Sequence, residues 1–93
     1  MTITRRDLAE TIAGIGNIPQ GTAETALNAV LDRIKAAVAE GEPVELRGFG
    51  KFSRAHKVAR IGRNPRTGEE VDIAATNYPH FKAGKDFRQK VAG

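Results

Sequence analysis

The segment 43-PVELRGFGKFSRA-55 is where the apolar pattern of the chain changes from helical to alternating. Val44 and Leu46 are separated by a charged residue, and this period of two predicts a strand with one face toward a core. Phe49 stands between two glycines, which suits a tight turn with the phenyl ring directed inward. The segment therefore predicts an antiparallel hairpin in the middle of the chain.

The residues before this hairpin have the periodicity of helices. Apolar side chains recur every three or four positions over residues 4 to 15, with Thr4 as the N-cap and Gly14 and Gly16 as the expected end. The same criterion predicts a longer helix over residues 20 to 40, and the glycine and proline that follow it indicate its end.

The longer helix carries an apolar stripe that the rest of the chain offers little to cover. Leu27 and Leu31 lie in this stripe, and its alanines permit close approach of a neighbouring helix. We expect the helix to pack on the first helix and on a second copy of itself. An ordinary core helix of a monomer is the alternative interpretation.

The residues after the hairpin predict a two-stranded arm. A long strand continues through 52-FSRAHKVARIG-62, a turn follows at 63-RNPRTG-68, and 69-EEVDIAA-75 returns. Few side chains from about residue 54 to residue 75 are suited to a core, so this ribbon is expected to project from the body.

The remaining residues complete one domain of the α+β class, residues 1–93. We expect a helical dimerisation part at 1–42 and a sheet with its arm at 43–82. The segment 77–81 is expected to be irregular or an edge strand, and a short helix is predicted for 83–93.

Positive charge is concentrated on the outgoing strand of the arm. The segment from Arg47 to Gly68 holds seven Lys or Arg and no carboxylate, whereas the other residues hold eight bases and eleven acids. Cations recur at every third position, which on a strand places them on both faces. This pattern favours a polyanion-binding surface. A solvated or disordered charge block is the alternative, and a basic membrane-surface helix is disfavoured by the glycine and proline inside the run.

Pro65 lies at the expected tip of the arm. Asn-Pro and Thr-Gly are turn formers, which accounts for these residues in part. An exposed pyrrolidine ring is also a rigid apolar wedge, and minor-groove proteins use such wedges to unstack base steps and kink DNA by about 20–90°. The sequence therefore predicts that the tip inserts into a minor groove.

Several other classes of protein are disfavoured. The chain has no cysteine, so neither a disulfide nor a thiolate metal site is expected, and its two histidines lack a third ligand at metal spacing. No P-loop or dinucleotide fingerprint is present. We expect no enzyme activity, cofactor, metal or small-molecule substrate. The charged N-terminus and the lack of a long apolar run favour a cytoplasmic protein without a membrane partner.

Three motifs behind the two helices resemble the bacterial HU/IHF family of histone-like, DNA-bending proteins: GFGKF at 48–52, GRNPRTGEEV at 62–71 and PHFKAGK at 79–85. The resemblance covers essentially the whole chain, and Gly-Arg-Asn-Pro-x-Thr-Gly is a specific signature. It implies two N-terminal helices, a three-stranded antiparallel sheet with a protruding β-ribbon arm, and a short C-terminal helix. It also implies an intertwined homodimer or heterodimer whose two arms embrace double-stranded DNA.

The function implied is bending and compaction of nucleoid DNA through the minor groove, with little sequence specificity. A subunit of an IHF-like, sequence-preferring heterodimer is the alternative, and a basic protein-interaction module is a weaker one. Two departures from the family pattern are Ala83, where proline is usual, and Ala55, at an arm position that is often basic.

The charge pattern and the resemblance together give the candidate site residues. The DNA-binding candidates are Arg54, Lys57, Arg60, Arg63, Asn64, Pro65, Arg66, Lys82 and Lys85. The dimer-core candidates are Leu27, Leu31, Phe49, Phe52 and Phe81.

Overall fold

Three helices and five strands form in the computed structural model, which describes residues 1–93. In chain order they are α1 (Arg5–Gly16), α2 (Gln20–Ala39), β1 (Val44–Leu46), β2 (Gly50–Lys57), β3 (Arg60–Arg63), β4 (Glu70–Ile73), β5 (Thr76–Ala83) and α3 (Lys85–Ala92). The predicted α+β class is confirmed. The chain divides into two compact units, residues Met1–Ala36 and Ala37–Gly93.

Helix α1 begins as the sequence predicts and ends one residue later than predicted. The carboxylate of Asp7 accepts hydrogen bonds from the backbone N–H of Thr4 at 2.8 Å and from its hydroxyl at 3.2 Å, which ties the N-cap to the first turn. The helix runs through Gly14 and its last residue is Gly16, so the predicted end is correct to within one residue. The C-cap residue is Asn17, with a left-handed φ of 50°, a conformation that its short polar side chain tolerates.

The first unit buries few large side chains. Ala9 and Ala23 are its only fully buried residues. Leu27 and Leu31 on α2 are half-buried, and Val30 between them is 57% exposed. The apolar stripe of α2 therefore remains partly uncovered in a single chain.

The second unit contains a three-stranded antiparallel sheet in the order β1-β2-β5. Strands β2 and β5 pair along their whole length, from Gly50 opposite Ala83 to Lys57 opposite Thr76. The segment 77–81 is therefore part of a regular strand, although it lies at the sheet edge as predicted. Pro79 is accommodated there because an edge strand tolerates a missing backbone donor.

Helix α3 begins at Lys85, two residues later than predicted. Ala83 still pairs with Gly50 in the sheet, and Gly84 is the N-cap residue of the helix. The backbone N–H of Gly84 donates to the carbonyl of Phe49 at 2.8 Å. The hairpin turn and the start of α3 are thus joined directly.

Strands β3 and β4 form a separate two-stranded sheet, which we call the ribbon (residues 60–73). It is shorter than the predicted arm, because β2 continues to Lys57 as part of the larger sheet and residues 58–59 interrupt the strand. The strands of the ribbon contact mainly each other. Ile61 is 68% exposed, so the ribbon contributes little to a core.

Four phenylalanine rings form the main apolar cluster of the second unit. The ring of Phe49 lies 6.4 Å from that of Phe52, 5.4 Å from that of Phe81 and 5.2 Å from that of Phe87, measured between centroids. Phe49 and Phe81 nevertheless remain 44% and 37% exposed. The cluster brings together the three predicted core aromatics, and its surface is open in the single chain.

Candidate nucleic-acid interface

The tip of the ribbon is a closed loop that joins Asn64 to Glu69. The backbone N–H of Asn64 donates to the carbonyl of Glu69 at 2.8 Å, and the N–H of Gly68 donates to the carbonyl of Asn64 at 2.7 Å. Gly68 has a φ of +76°, which an L side chain rarely adopts. The hydrogen bonds that close the loop and the glycine that it requires all lie within residues 64–69. The turn predicted for this segment is therefore confirmed.

Asn64 holds the loop from inside. Its side-chain oxygen accepts a hydrogen bond from the backbone N–H of Arg66 at 2.9 Å, an Asx turn that encloses Pro65. Asn64 is half-buried, whereas Pro65 is exposed. The amide thus fixes the loop, and the loop presents the pyrrolidine ring to solvent.

The register of the ribbon places its cations on both faces, as predicted for this part of the chain. Arg60 is opposite Ile73 and Gly62 is opposite Val71, so one face combines a cation with aliphatic side chains. Arg63 is opposite Glu70, and both lie on the other face. The two faces of the ribbon therefore differ in polarity.

The arginines of the ribbon and tip differ in their partners. Arg63 approaches the carboxylate of Glu70 at 3.7 Å and donates to the carbonyl of Gly68 at 3.4 Å. Arg60 and Arg66 are exposed and form no ion pair or side-chain hydrogen bond. Two of the three guanidinium groups are thus free to meet an external anion.

A second group of cations lies on one face of the three-stranded sheet. Lys51 is directly opposite Lys82 on β5 and Glu45 on β1, so a like-charge pair and one carboxylate share this face. Lys57 lies on the same face, with its ammonium 5.1 Å from the ring centroid of Tyr78. Lys51 is not among the DNA-binding residues predicted from the sequence. Its position opposite Lys82 depends on how β2 pairs with β5, and the spacing of charges along one strand does not predict that pairing.

Arg54 is placed differently from the other candidates. It lies on the opposite face of β2 from Lys57, and its guanidinium donates to the carbonyl of Ala39 at the end of α2, at 3.2 Å. The same group packs against Gly41, where the Cβ atom of any other residue would lie 2.9 Å from the Nη2 atom of Arg54. Arg54 therefore caps the C-terminus of α2, where a positive charge is favourable.

We expect Arg54→Ala to lower the free energy of unfolding by about 1 kcal/mol, because it removes a charged cap from a helix C-terminus. Thermal unfolding measures this, and Arg54→Lys is the control that keeps the charge. If Arg54→Ala left stability unchanged but reduced the salt dependence of DNA binding, Arg54 would be a phosphate contact and not a cap.

The remaining candidate, Lys85, is the first residue of α3 and is exposed. The structure thus groups Arg63, Asn64, Pro65 and Arg66 in one loop, with Arg60 on the strand that leads to it. No group of three His, Cys, Asp or Glu residues is arranged to hold a metal ion. None of the helices combines the length and the apolar character that a membrane crossing requires.

Comparisons with known proteins place this geometry in a family context. The sequence profile of the family described as bacterial DNA-binding protein matches residues 3–92. The integration host factor subunit beta of Histophilus somni (strain 2336) is 43% identical over 90 residues, which are 96% of this chain and 96% of that protein. The subunit of the same name from Serratia marcescens is 42% identical over 89 residues, 95% of each chain. A cocrystal structure of Anabaena HU with DNA matches with a TM-score of 0.87 and 41% identity, covering 97% of this chain and 98% of that one.

Proposed function

The chain belongs to the HU/IHF-type family of bacterial DNA-binding architectural proteins, and from this premise we propose that two copies grip one duplex between their ribbons and bend it. The observation that carries the proposal is the exposed Pro65 at a closed tip that also carries Arg63 and Arg66. A rigid apolar ring between cations is suited to entering a groove whose walls are phosphates.

The accessible surface of the single chain supports a dimer. It is 7816 Å², whereas a folded monomer of 10 kDa exposes about 5,200 Å². No large apolar side chain is fully buried, and the excess surface includes the open phenylalanine cluster. An obligate dimer interface buries about 2,000–5,000 Å² in total, half of it on each partner, and one at the large end of this range accounts for most of such an excess. Leu27, Leu31 and the phenylalanines are proposed as its core.

In the proposed mechanism, phosphate contacts supply most of the affinity. Arg60 and Arg66 supply charge on each ribbon, while Lys57 and Lys82 supply it on the sheet face, to which we add Lys51. These contacts carry little base-specific information. The two Pro65 rings unstack one base step each, so duplexes that are already bent, nicked or gapped are expected to bind more tightly.

A second candidate function is favoured by the similarity to integration host factor beta subunits. In that case the partner is a related but different chain, and site choice depends on DNA deformability. Sedimentation of the purified chain distinguishes the two candidates: a homodimer that binds unrelated duplexes alike supports the first, and a monomer that needs a second chain supports the other. Either function places the protein on bacterial nucleoid DNA in the cytoplasm, and neither includes a catalytic step.

We expect Arg60→Ala to weaken binding to all duplexes alike and to flatten its dependence on salt. Each lost phosphate contact lowers the log–log slope by about 0.9, so a dimer that loses two should show a change of about 2. Titrations of two unrelated duplexes at several salt concentrations measure both quantities. Arg33→Ala, on α2, is the matched control because it removes the same charge outside the proposed site. A loss confined to one sequence would contradict recognition through phosphates.

A further inference from the structure

The returning strand of the ribbon has the opposite charge from the outgoing strand. Residues 69–75 contain Glu69, Glu70 and Asp72 and no cation. All three carboxylates are exposed. A ribbon proposed to grip DNA thus carries acidic side chains on the strand that pairs with its cationic strand. Negative charge beside the cations opposes phosphate binding, so the position of each carboxylate matters.

The three carboxylates occupy different positions. Glu70 is directly opposite Arg63, with its Oε1 atom 3.7 Å from the Nη2 atom of that arginine. Asp72 is on the same face, opposite Ile61, and forms no ion pair. Glu69 lies outside the strand, and only its backbone takes part in the loop. Glu70 is therefore the one acidic side chain of the ribbon that holds a cation.

Two groups of the ribbon hold Arg63. One nitrogen of its guanidinium faces Glu70, and the other donates to the carbonyl of Gly68. A carboxylate and a phosphate both bind a guanidinium through paired oxygens, so they compete for the same donors. Because the side chains of Arg63 and Glu70 are 70% and 67% exposed, the pair is weak enough for a phosphate to displace the carboxylate.

We propose that Glu70 is an internal competitor for phosphate that occupies Arg63 in the free ribbon and so sets how tightly the ribbon grips DNA. This inference rests on the proposed function of the same site. DNA must exchange one ion pair for another at Arg63, whereas Arg60 and Arg66 bind without such an exchange. Glu70 thereby lowers the affinity of the binding mode in which the ribbons are engaged and leaves contacts on the sheet face unaffected.

The test compares Glu70→Gln with Glu69→Gln. The two variants have the same net charge and differ by one position, but only the first releases Arg63. Glu70→Gln is expected to raise the affinity for a duplex up to about fivefold for each engaged ribbon, and Glu69→Gln by much less. The ratio of the affinities of the two variants should approach one as the salt concentration rises, because salt screens an exposed ion pair. Both side chains are exposed, so neither change threatens the fold.

A double-mutant cycle completes the experiment. In an Arg63→Ala background, Glu70→Gln should raise affinity no more than Glu69→Gln does. Equal gains in affinity for the two variants in the native background would overturn the inference. Such gains would reflect only the general loss of negative charge from the ribbon and no specific release of Arg63. A loss of affinity in Glu70→Gln would also overturn it, because Glu70 would then orient Arg63 for binding. If the unaltered protein bound no duplex, the proposed function would fail instead, and the NMR signals of the Arg63 side chain with and without Glu70→Gln would still report on the pair.

Discussion

Phe49→Ala is expected to unfold the protein or to dissociate it into monomers that do not bind DNA. Phe49 contacts the other three rings of the phenylalanine cluster. If the proposed dimer buries the exposed 44% of Phe49, its truncation costs about 3–5 kcal/mol, the value for a buried phenylalanine. Domains of this size are stable by about 5–15 kcal/mol in total, so the loss is a large fraction of what is available.

The measurement is sedimentation together with thermal unfolding at several protein concentrations, because the stability of an obligate dimer depends on concentration. Val58→Ala is a suitable control: Val58 is 71% exposed and outside the cluster, so its truncation should change stability by less than about 0.5 kcal/mol. A variant Phe49→Ala that remained folded and bound DNA as a monomer would show that the cluster is not a dimer core.

For Phe49, the sequence predicted the direction of the ring but not how much of the ring stays exposed in one chain. The turn between two glycines predicted an inward ring, and the ring does join Phe52, Phe81 and Phe87. A single sequence contains no signal for how much of such a cluster a second chain covers. The partner was predicted from the apolar stripe that one chain leaves uncovered. The structure of one chain shows exposed rings at Phe49 and Phe81 and does not contain the partner.

Features determined by neighbouring residues were predicted well. The capping interaction at Thr4, the loop at 63–68 and the placement of Arg60 and Arg63 on opposite faces all follow from short-range chemistry. Features determined by strand pairing were not. The ribbon begins later than predicted because Lys57 still pairs with Thr76, and this pairing depends on residues far apart in the sequence.

The hydrogen bond from Arg54 to the carbonyl of Ala39 shows the same limit at the level of one residue. Arg54 lies in the run of cations spaced by three, which made it a candidate DNA contact, yet its guanidinium reaches a helix that ends fifteen residues earlier. Only the fold brings these groups together. Charge spacing along a strand indicates which face a side chain occupies, but not whether a helix terminus is within its reach.

Pro65→Ala is expected to abolish most of the DNA bend and to reduce affinity by much less. Every cation of the ribbon is retained, and neither of the backbone hydrogen bonds that close the loop involves residue 65. What is lost is the rigid apolar ring. Such wedges kink DNA by about 20–90° in minor-groove proteins, and this family is one of the known examples. Removing the Pro65 ring from both subunits should therefore decrease the bend by tens of degrees.

Fluorescence energy transfer between the ends of a duplex measures the bend, and titration of the same duplex measures affinity. Thr67→Ala is the comparison variant: it removes the hydroxyl that accepts a hydrogen bond from the backbone N–H of Glu69 at 3.3 Å, and so it perturbs the loop but keeps the ring. The affinity deficit of Pro65→Ala should be smallest on gapped DNA, where little stacking remains to be broken at the wedge position. An unchanged bend angle would reject the wedge role. An equal loss of bend in Thr67→Ala would assign the bend to the shape of the loop as a whole, and the pyrrolidine ring would then serve only to form the turn.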